Sequence, residues 1–208
     1  MGNPRGHENP FLLTMGVIWF RWHNFLAKQI AKAHTDWSDE KVFNEARKWV
    51  IASQQQIVLN EWLPLLIPDE PLPEYSGYNH GIDPQISNLF QSAAFRFGHT
   101  LVTAGGIKRD GNCSSVSKLD SPQSNENIVR TCNSFWKPIE YLMNGGFEQL
   151  IMGLSSQPAE AEDNVVVEDI RGSVFGPLEF TRRDLMAINI QRGLSSTLDL
   201  NLNCFCWP

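Results

Sequence analysis

Apolar residues recur at helical spacing through most of this chain, and the polar breaks between them carry the residue types that start and stop helices. Asn9 followed by Pro10 reads as a cap and a first helical residue. Phe11, Met15, Ile18, Trp22, Phe25, Leu26 and Ile30 then fall near one face, which predicts a helix from Pro10 to about His34. Ser38, with Asp39 and Glu40 favourably placed in a first turn, predicts a second helix. Its apolar positions Val42, Phe43, Ala46, Trp49, Val50, Ile57 and Trp62 lead toward Pro64. Pro64, Pro68, Pro71 and Pro73 make residues 64–79 a loop. Asp83-Pro84 repeats the cap-and-proline signal ahead of a third helix through Ile86, Leu89, Phe90, Ala93, Ala94 and Phe97 to His99. Residues 103–134 are polar and irregular. Pro138 opens a short helix, broken near Gly145-Gly146 and ending around Gly153. Val165-Val166-Val167 has strand character, but one short strand makes no sheet. Thr181 and Asp184 resemble a capping pair for a last helix through Leu185, Ile188, Asn189 and Arg192. The predicted class is mainly α.

Composition narrows the picture. At 208 residues the chain is long enough for one domain with a core, and 42% hydrophobic against 19% charged residues excludes a disordered chain. A net charge of -6 argues against a nucleic-acid footprint. Seven tryptophans and twelve phenylalanines suit either a helical core or a flat aromatic cofactor. The first residues do not read as a cleavable leader, Gly6 spoils a myristoylation pattern, and the apolar run Phe11 to Phe20 is too short to span a bilayer. Those features together predict a soluble cytosolic chain. Against them stands Asn112-Cys113-Ser114, a glycosylation sequon overlapping a cysteine. Cys113 and Cys132 bracket a polar loop, where a disulfide would contribute about 3 kcal/mol in the chain-entropy model. Two free thiols beside a chance sequon account for the same residues. Cys204 and Cys206 fit no metal spacing.

The candidate chemistry is concentrated in two pairs. Arg96 and His99 are three residues apart on an apolar helix and therefore share a face. Asn189 and Arg192 repeat that spacing on the last helix. Together they could build one face of a haem site: His99 on the iron, Asn189 on the other ring nitrogen, Arg96 and Arg192 on the propionates. Each residue also has a plainer account, since a lone histidine on an apolar helix is usually packed in a core and a lone arginine is ordinary surface charge. Arg5 and Glu8 stand three apart at a helix start, where Glu8 suits the positive end of the helix dipole. His7, His34 and His80 read as surface and His23 as packed. No nucleophile motif, P-loop, dinucleotide glycine fingerprint or paired-histidine zinc motif is present.

Several motifs, in order and spacing, resemble the animal haem peroxidases: Gly2-Asn3-Pro4-Arg5-Gly6-His7-Glu8, Trp22-His23-Asn24, Glu45-Ala46-Arg47-Lys48, Glu61-Trp62-Leu63-Pro64, Ala93 to Leu101, and Asn189-Ile190-Gln191-Arg192. Gly2 to Pro10, Asp36 to Glu40 and Cys132 to Trp136 are more typical of the dual oxidase branch. The resemblance covers nearly everything from Gly2 to Gly193. It implies the fold of an animal haem peroxidase domain, mainly helical and incomplete. It also implies that Arg5 is the distal arginine that polarises peroxide, and that Glu8 is the glutamate forming an ester with a haem methyl in some members. His99 becomes the axial iron ligand, Asn189 its hydrogen-bond partner, and Arg96 and Arg192 the propionate contacts. The cofactor implied is haem. The partners implied are hydrogen peroxide, a small electron donor such as a phenol or halide, and the remainder of a dual oxidase chain with its NADPH oxidase module. The location implied is the extracellular face of the plasma membrane.

Departures from the family pattern shape the expectation for the whole chain. The family's distal histidine, nearby aspartate and calcium loop precede the arginine motif and have no counterpart in these residues. After Gly193 the family continues with Arg-Asp and a Gly-Leu-Pro turn, whereas this chain reads Leu194-Ser195-Ser196-Thr197 and ends in Cys204-Phe205-Cys206-Trp207-Pro208. The expected organisation is therefore a partial peroxidase domain over residues 1–193 and a divergent tail over 194–208. A peroxidase-like domain that regulates an oxidase through partner binding, without catalysis, is the alternative function.

Overall fold

The computed structural model describes residues 2–69, 72–114, 127–176, 178–181 and 183–197. Helices dominate, and the residues divide into two compact units, one of Met15–Asp83 and one of Gly2–Thr14 with Pro84–Pro208. Cys204 and Cys206 lie outside the described residues.

The first unit is built on α1 (Pro10–Ala33), whose opening turn belongs to the second unit, and α2 (Asp39–Ile57). Ser38 caps α2 as its sequence signals, its hydroxyl accepting from the Lys41 N–H at 3.4 Å. Val42 and Ala46 are buried along the seam. His23 is packed, its ring 4.9 Å from that of Phe43, and the Trp22 indole N–H donates to the Ser53 hydroxyl at 3.4 Å. The apolar faces read from the sequence are wider than this seam. Met15, Trp22 and Phe25 of α1 and Phe43, Trp49 and Ile57 of α2 remain exposed, because two helices can bury only the stripe along which they meet.

The second helix does not run unbroken to Pro64. A π turn occupies Val58–Trp62, with the Leu63 N–H reaching back to the Val58 carbonyl, before a short α3 (Leu63–Leu66). Proline has no N–H to give, and its ring crowds the carbonyl four residues earlier; a widened turn ahead of Pro64 accommodates both constraints.

In the second unit the expected third helix also starts late. The Asp83-Pro84 signal does not open it; α4 spans Asn88–Ser92 and is capped by Ser87, whose hydroxyl accepts from the Phe90 N–H at 3.2 Å. At Ala93 the backbone leaves helical geometry and a tighter 3-10 helix, Ala94–His99, takes over. The region expected to be irregular contains a small antiparallel ladder, β1 (Gly105–Ile107) on β2 (Ile128–Arg130), in register Gly106↔Val129. The Gln157 side-chain amide completes the outer edge of β1: its oxygen accepts from the Ile107 N–H and its nitrogen donates to the Gly105 carbonyl, both at 2.9 Å. Helix α5 (Gly146–Ser156) starts after Gly145, held at a φ of 83°. It lies so close to β1 that a Cβ at Gly153 would overlap the Ile107 carbonyl oxygen.

Residues 165–167 form no strand; they lead into α6 (Glu168–Arg171), and α7 (Leu178–Thr181) and α8 (Leu185–Thr197) come after it. Asp184 caps α8 through the Ala187 N–H at 3.1 Å, as its position in the sequence signals. Helix α8 packs against α4 and α6.

The core of this unit holds Leu13, Val129, Phe147, Leu150, Val166 and Ile170 together with a buried carboxylate, Asp169. Asp169 accepts from Arg130 Nε at 3.2 Å, from Arg130 Nη2, and from the Cys132 N–H at 3.1 Å. Burial pushes its carboxyl upward, but the Arg130 guanidinium and the Cys132 N–H outweigh burial and hold it below its ordinary value of 3.8. The stabilisation this gives is full above that ordinary value and is lost as pH falls through the depressed one. Asp169→Asn should therefore cost about 1–3 kcal/mol at neutral pH. It should also flatten the acid limb of stability, which urea denaturation across a pH series measures.

Candidate functional site

The 3-10 helix sets the first half of the site. With three residues per turn, side chains at i and i+3 eclipse one another, so Arg96 lies directly over His99. The face expected from the sequence thus survives a change of helix type. The second half comes from α8, where Asn189 and Arg192 are again three apart.

The structure joins the two halves at one contact. The Asn189 side-chain amide meets His99 Nδ1, with its oxygen at 3.1 Å and its nitrogen at 2.9 Å. These are the hydrogen bonds of the ring; Nε2 makes none among the described residues. In one arrangement Nδ1 carries the proton and donates to the Asn189 oxygen, leaving a lone pair on Nε2. In the other the Asn189 nitrogen donates to Nδ1 and Nε2 is protonated. Only the first leaves Nε2 able to bind a metal.

Charge around the ring favours its neutral form. His99 is half-buried, and its pKa lies below the ordinary 6.5. Burial is the main cause, opposed by the Asn189 hydrogen bond and reinforced by the charges of Arg96 and Arg192. Both arginines are therefore near enough to act on the ring. Neither is ion-paired among the described residues, and Arg96 Nε is buried without a hydrogen-bond partner. The site thus holds two cations, one neutral imidazole whose Nε2 carries a lone pair in the first arrangement, and an orphaned donor. That set fits a planar metal complex with carboxylate arms.

Arg5 and Glu8 are not tied to this group. They sit in an exposed turn ahead of α1, where the Arg5 N–H donates to Asn3 Oδ1 at 3.0 Å and the Glu8 N–H to the Arg5 carbonyl at 3.2 Å. Asn9 caps α1 through the Phe11 and Leu12 N–H groups, so Glu8 stands just outside the helix. No hydrogen bond or ion pair among the described residues links either side chain to His99. Asn112 is exposed on a turn organised by Asp110, whose carboxylate accepts from the Asn112 and Ser114 N–H groups, both at 2.9 Å. No group of acidic, histidine or cysteine residues able to hold a bare metal ion occurs among the described residues. No helix among them is long and apolar enough to cross a membrane.

The expected bridge between Cys113 and Cys132 is not formed; both are free thiols. Each is committed to its own local structure. Cys113 sits at a φ of 62° in the Asp110 turn, and its carbonyl accepts from Arg109 Nη1 at 2.8 Å. Cys132 lies in a 3-10 turn, and its N–H is taken by Asp169. Burial, then the Asp169 carboxylate, pushes the Cys132 thiol above its ordinary range.

These environments have two measurable outcomes. Both thiols should alkylate without reductant, Cys113 well before Cys132; a Cys113–Cys132 peptide in non-reducing mapping would contradict this. The His99 ring should titrate below 6.5 in a histidine NMR titration, and Asn189→Leu, which removes the bond that favours the charged form, should lower it further.

Comparisons with known proteins place the chain in a family. The family model for animal haem peroxidase matches residues 1–198. The dual oxidase of Drosophila melanogaster is 43% identical over 199 residues, covering 95% of this chain and 13% of that protein. Dual oxidase 1 of Homo sapiens is 41% identical over 194 residues, covering 92% of this chain and 12% of that protein. Among solved structures, Peroxidase A from Dictyostelium discoideum superposes with a TM-score of 0.79 at 33% identity, over 92% of this chain and 35% of that one. The chain thus spans a small part of the dual oxidases it matches.

Proposed function

Because the chain belongs to the animal haem peroxidase family, we propose that the His99 group is the proximal side of a haem site serving peroxide-dependent oxidation in a dual oxidase. The observation that carries this reading is the His99–Asn189 contact flanked by two arginines without acidic partners among the described residues. When bound, haem supplies the iron centre at which peroxide is reduced and a small donor such as a phenol or halide is oxidised. His99 would hold the iron through its Nε2 lone pair. With its oxygen toward the ring, Asn189 would accept a hydrogen bond from Nδ1–H, the arrangement that leaves the lone pair on Nε2. Being neutral, it leaves the imidazole less anionic than a carboxylate partner would. Arg96 and Arg192 bind the propionates, and the buried Arg96 Nε gains the acceptor it lacks.

Arg5 would stand on the peroxide side, where its guanidinium would offer positive charge and hydrogen-bond donors to bound peroxide, and Glu8 would stand at the haem edge. In the same reading the chain acts with the remainder of a dual oxidase, including an NADPH oxidase module that supplies peroxide. It would lie at the extracellular face of the plasma membrane, where Asn112 carries a glycan. One observation favours the second reading, a haem-binding domain that regulates without turnover: Arg5 and Glu8 are exposed and unconnected to the His99 group.

Haem titration of the purified chain, monitored by absorption spectroscopy, tests the site. The expected result is a histidine-ligated spectrum that His99→Ala abolishes and Arg5→Ala leaves nearly unchanged. With peroxide and a phenolic donor, any turnover should fall about 10²–10³-fold in Arg5→Ala. A chain that takes up haem equally well without His99 overturns the assignment. Equal turnover in Arg5→Ala overturns the role of Arg5, whereas haem uptake with no turnover favours the regulatory reading.

A further inference from the structure

We propose that Asp169 is a positioning residue that holds His99 and Asn189 against each other. Its consequence for iron rests on the haem reading above; its consequence for the imidazole does not. Two elements must be kept at hydrogen-bond distance, and neither fixes itself. The 3-10 helix bearing His99 is one short, weakly bonded segment, so its direction depends on where the chain goes next. The segment leaving His99 is pinned at three points. The Leu101 carbonyl accepts from the Glu160 N–H at 3.1 Å, the Ala104 carbonyl from the Thr131 N–H at 2.9 Å, and the Thr103 carbonyl from the Thr131 hydroxyl at 3.0 Å. Thr131 is itself 3% exposed and lies between Arg130 and Cys132, the two residues that Asp169 grips.

The other side of the ring closes through helices. Asp169, 2% exposed, belongs to α6, and α6 packs on the turn holding Thr131 and on α8, which carries Asn189 and Arg192. Ile170, the next residue, is buried as well. One carboxylate therefore ties the segment leaving His99 to the helix that braces Asn189. A carboxylate suits the task because its two oxygens accept several bonds at once, here the two guanidinium nitrogens and a backbone N–H. An apolar side chain of similar size would orphan the Cys132 N–H and release the 130–132 segment. No catalytic contact is assigned to Asp169; it acts through Thr131 on one side and α8 on the other.

The test reads the imidazole directly. Ring-nitrogen NMR of the full chain with labelled histidine, without haem and at a pH where the ring is neutral, reports the His99 tautomer. Wild type should show one tautomer, protonated at Nδ1. In Asp169→Ala the two ring-nitrogen resonances should move toward each other as the tautomers mix, with Asp169→Asn intermediate because it keeps the shape and one acceptor oxygen. Leu150→Ala, which opens a cavity in the core at α5 without removing a hydrogen bond of this network, should leave them in place. If Asp169→Ala does not fold, the Asn variant decides. The proposal is overturned if the Asp169 variants that fold keep the wild-type resonances, if Leu150→Ala moves them as far, or if wild type is already mixed. Failure to take up haem, with the tautomer effect intact, would sink the haem reading and leave this one standing.

Discussion

A half-buried imidazole cannot leave both nitrogens to water, and here its inner nitrogen is met by a side chain 90 residues away along the chain. That bond between His99 and Asn189 is the constraint on which the arrangement of the second unit depends. It requires α8 to lie alongside the short helices that precede His99, and α8 does pack on α4. It requires the chain beyond His99 to have a fixed exit, which Thr131 provides through its backbone and its hydroxyl. The bond is modest in itself, on the order of 1 kcal/mol net for a neutral pair. Its geometry is instead over-determined by the packing and hydrogen bonds of its neighbours.

Local chemistry makes a good part of this legible in the amino-acid sequence. Ser38 and Asp184 cap the helices their positions signal, and Asn9 with Pro10 opens α1, because cap and first-turn effects act within four residues and depend on little else. The relation of Arg96 to His99 is legible for a firmer reason: a spacing of three shares a face in an α-helix and eclipses in a 3-10 helix, so the inference does not depend on which forms. The Asp83-Pro84 signal does not open the helix before His99, which is capped four residues later by Ser87. The ladder of β1 on β2 joins segments far apart in the sequence, and its three-residue strands leave no periodicity to detect.

The residues that sequence reasoning misses altogether share one property: their role lies in partners far along the chain. Asp169 sits among charged neighbours in Glu168-Asp169-Ile170-Arg171, of which Glu168 and Arg171 form an exposed surface pair. The neighbouring Asp169 is nearly fully buried because Arg130 reaches it from β2. The cysteines fail in the opposite direction. Bracketing a polar loop makes Cys113 and Cys132 look like ends of a staple, yet each is already held in its own local geometry, by the Asp110 turn and by the Asp169 carboxylate. A sequon and a loop are properties of sequence; the direction of a Cβ is not.

The electrostatics of the site give the last step. Two guanidinium groups press on an imidazole that is itself neutral, and no acid among the described residues neutralises them. A buried Arg96 Nε without an acceptor costs about 1–3 kcal/mol. Local rules of this kind are broken mainly where function demands it. Arginine rather than lysine suits the task, because a planar fork can engage a carboxylate through two parallel bonds and keeps its charge when partly dehydrated. A ligand bringing two carboxylates and a metal that seeks a neutral nitrogen would satisfy the orphaned donor, screen the two cations, and occupy the lone pair that Nε2 carries when Nδ1 donates to Asn189. Each feature alone has an ordinary explanation; a single ligand of this kind accounts for all three at once.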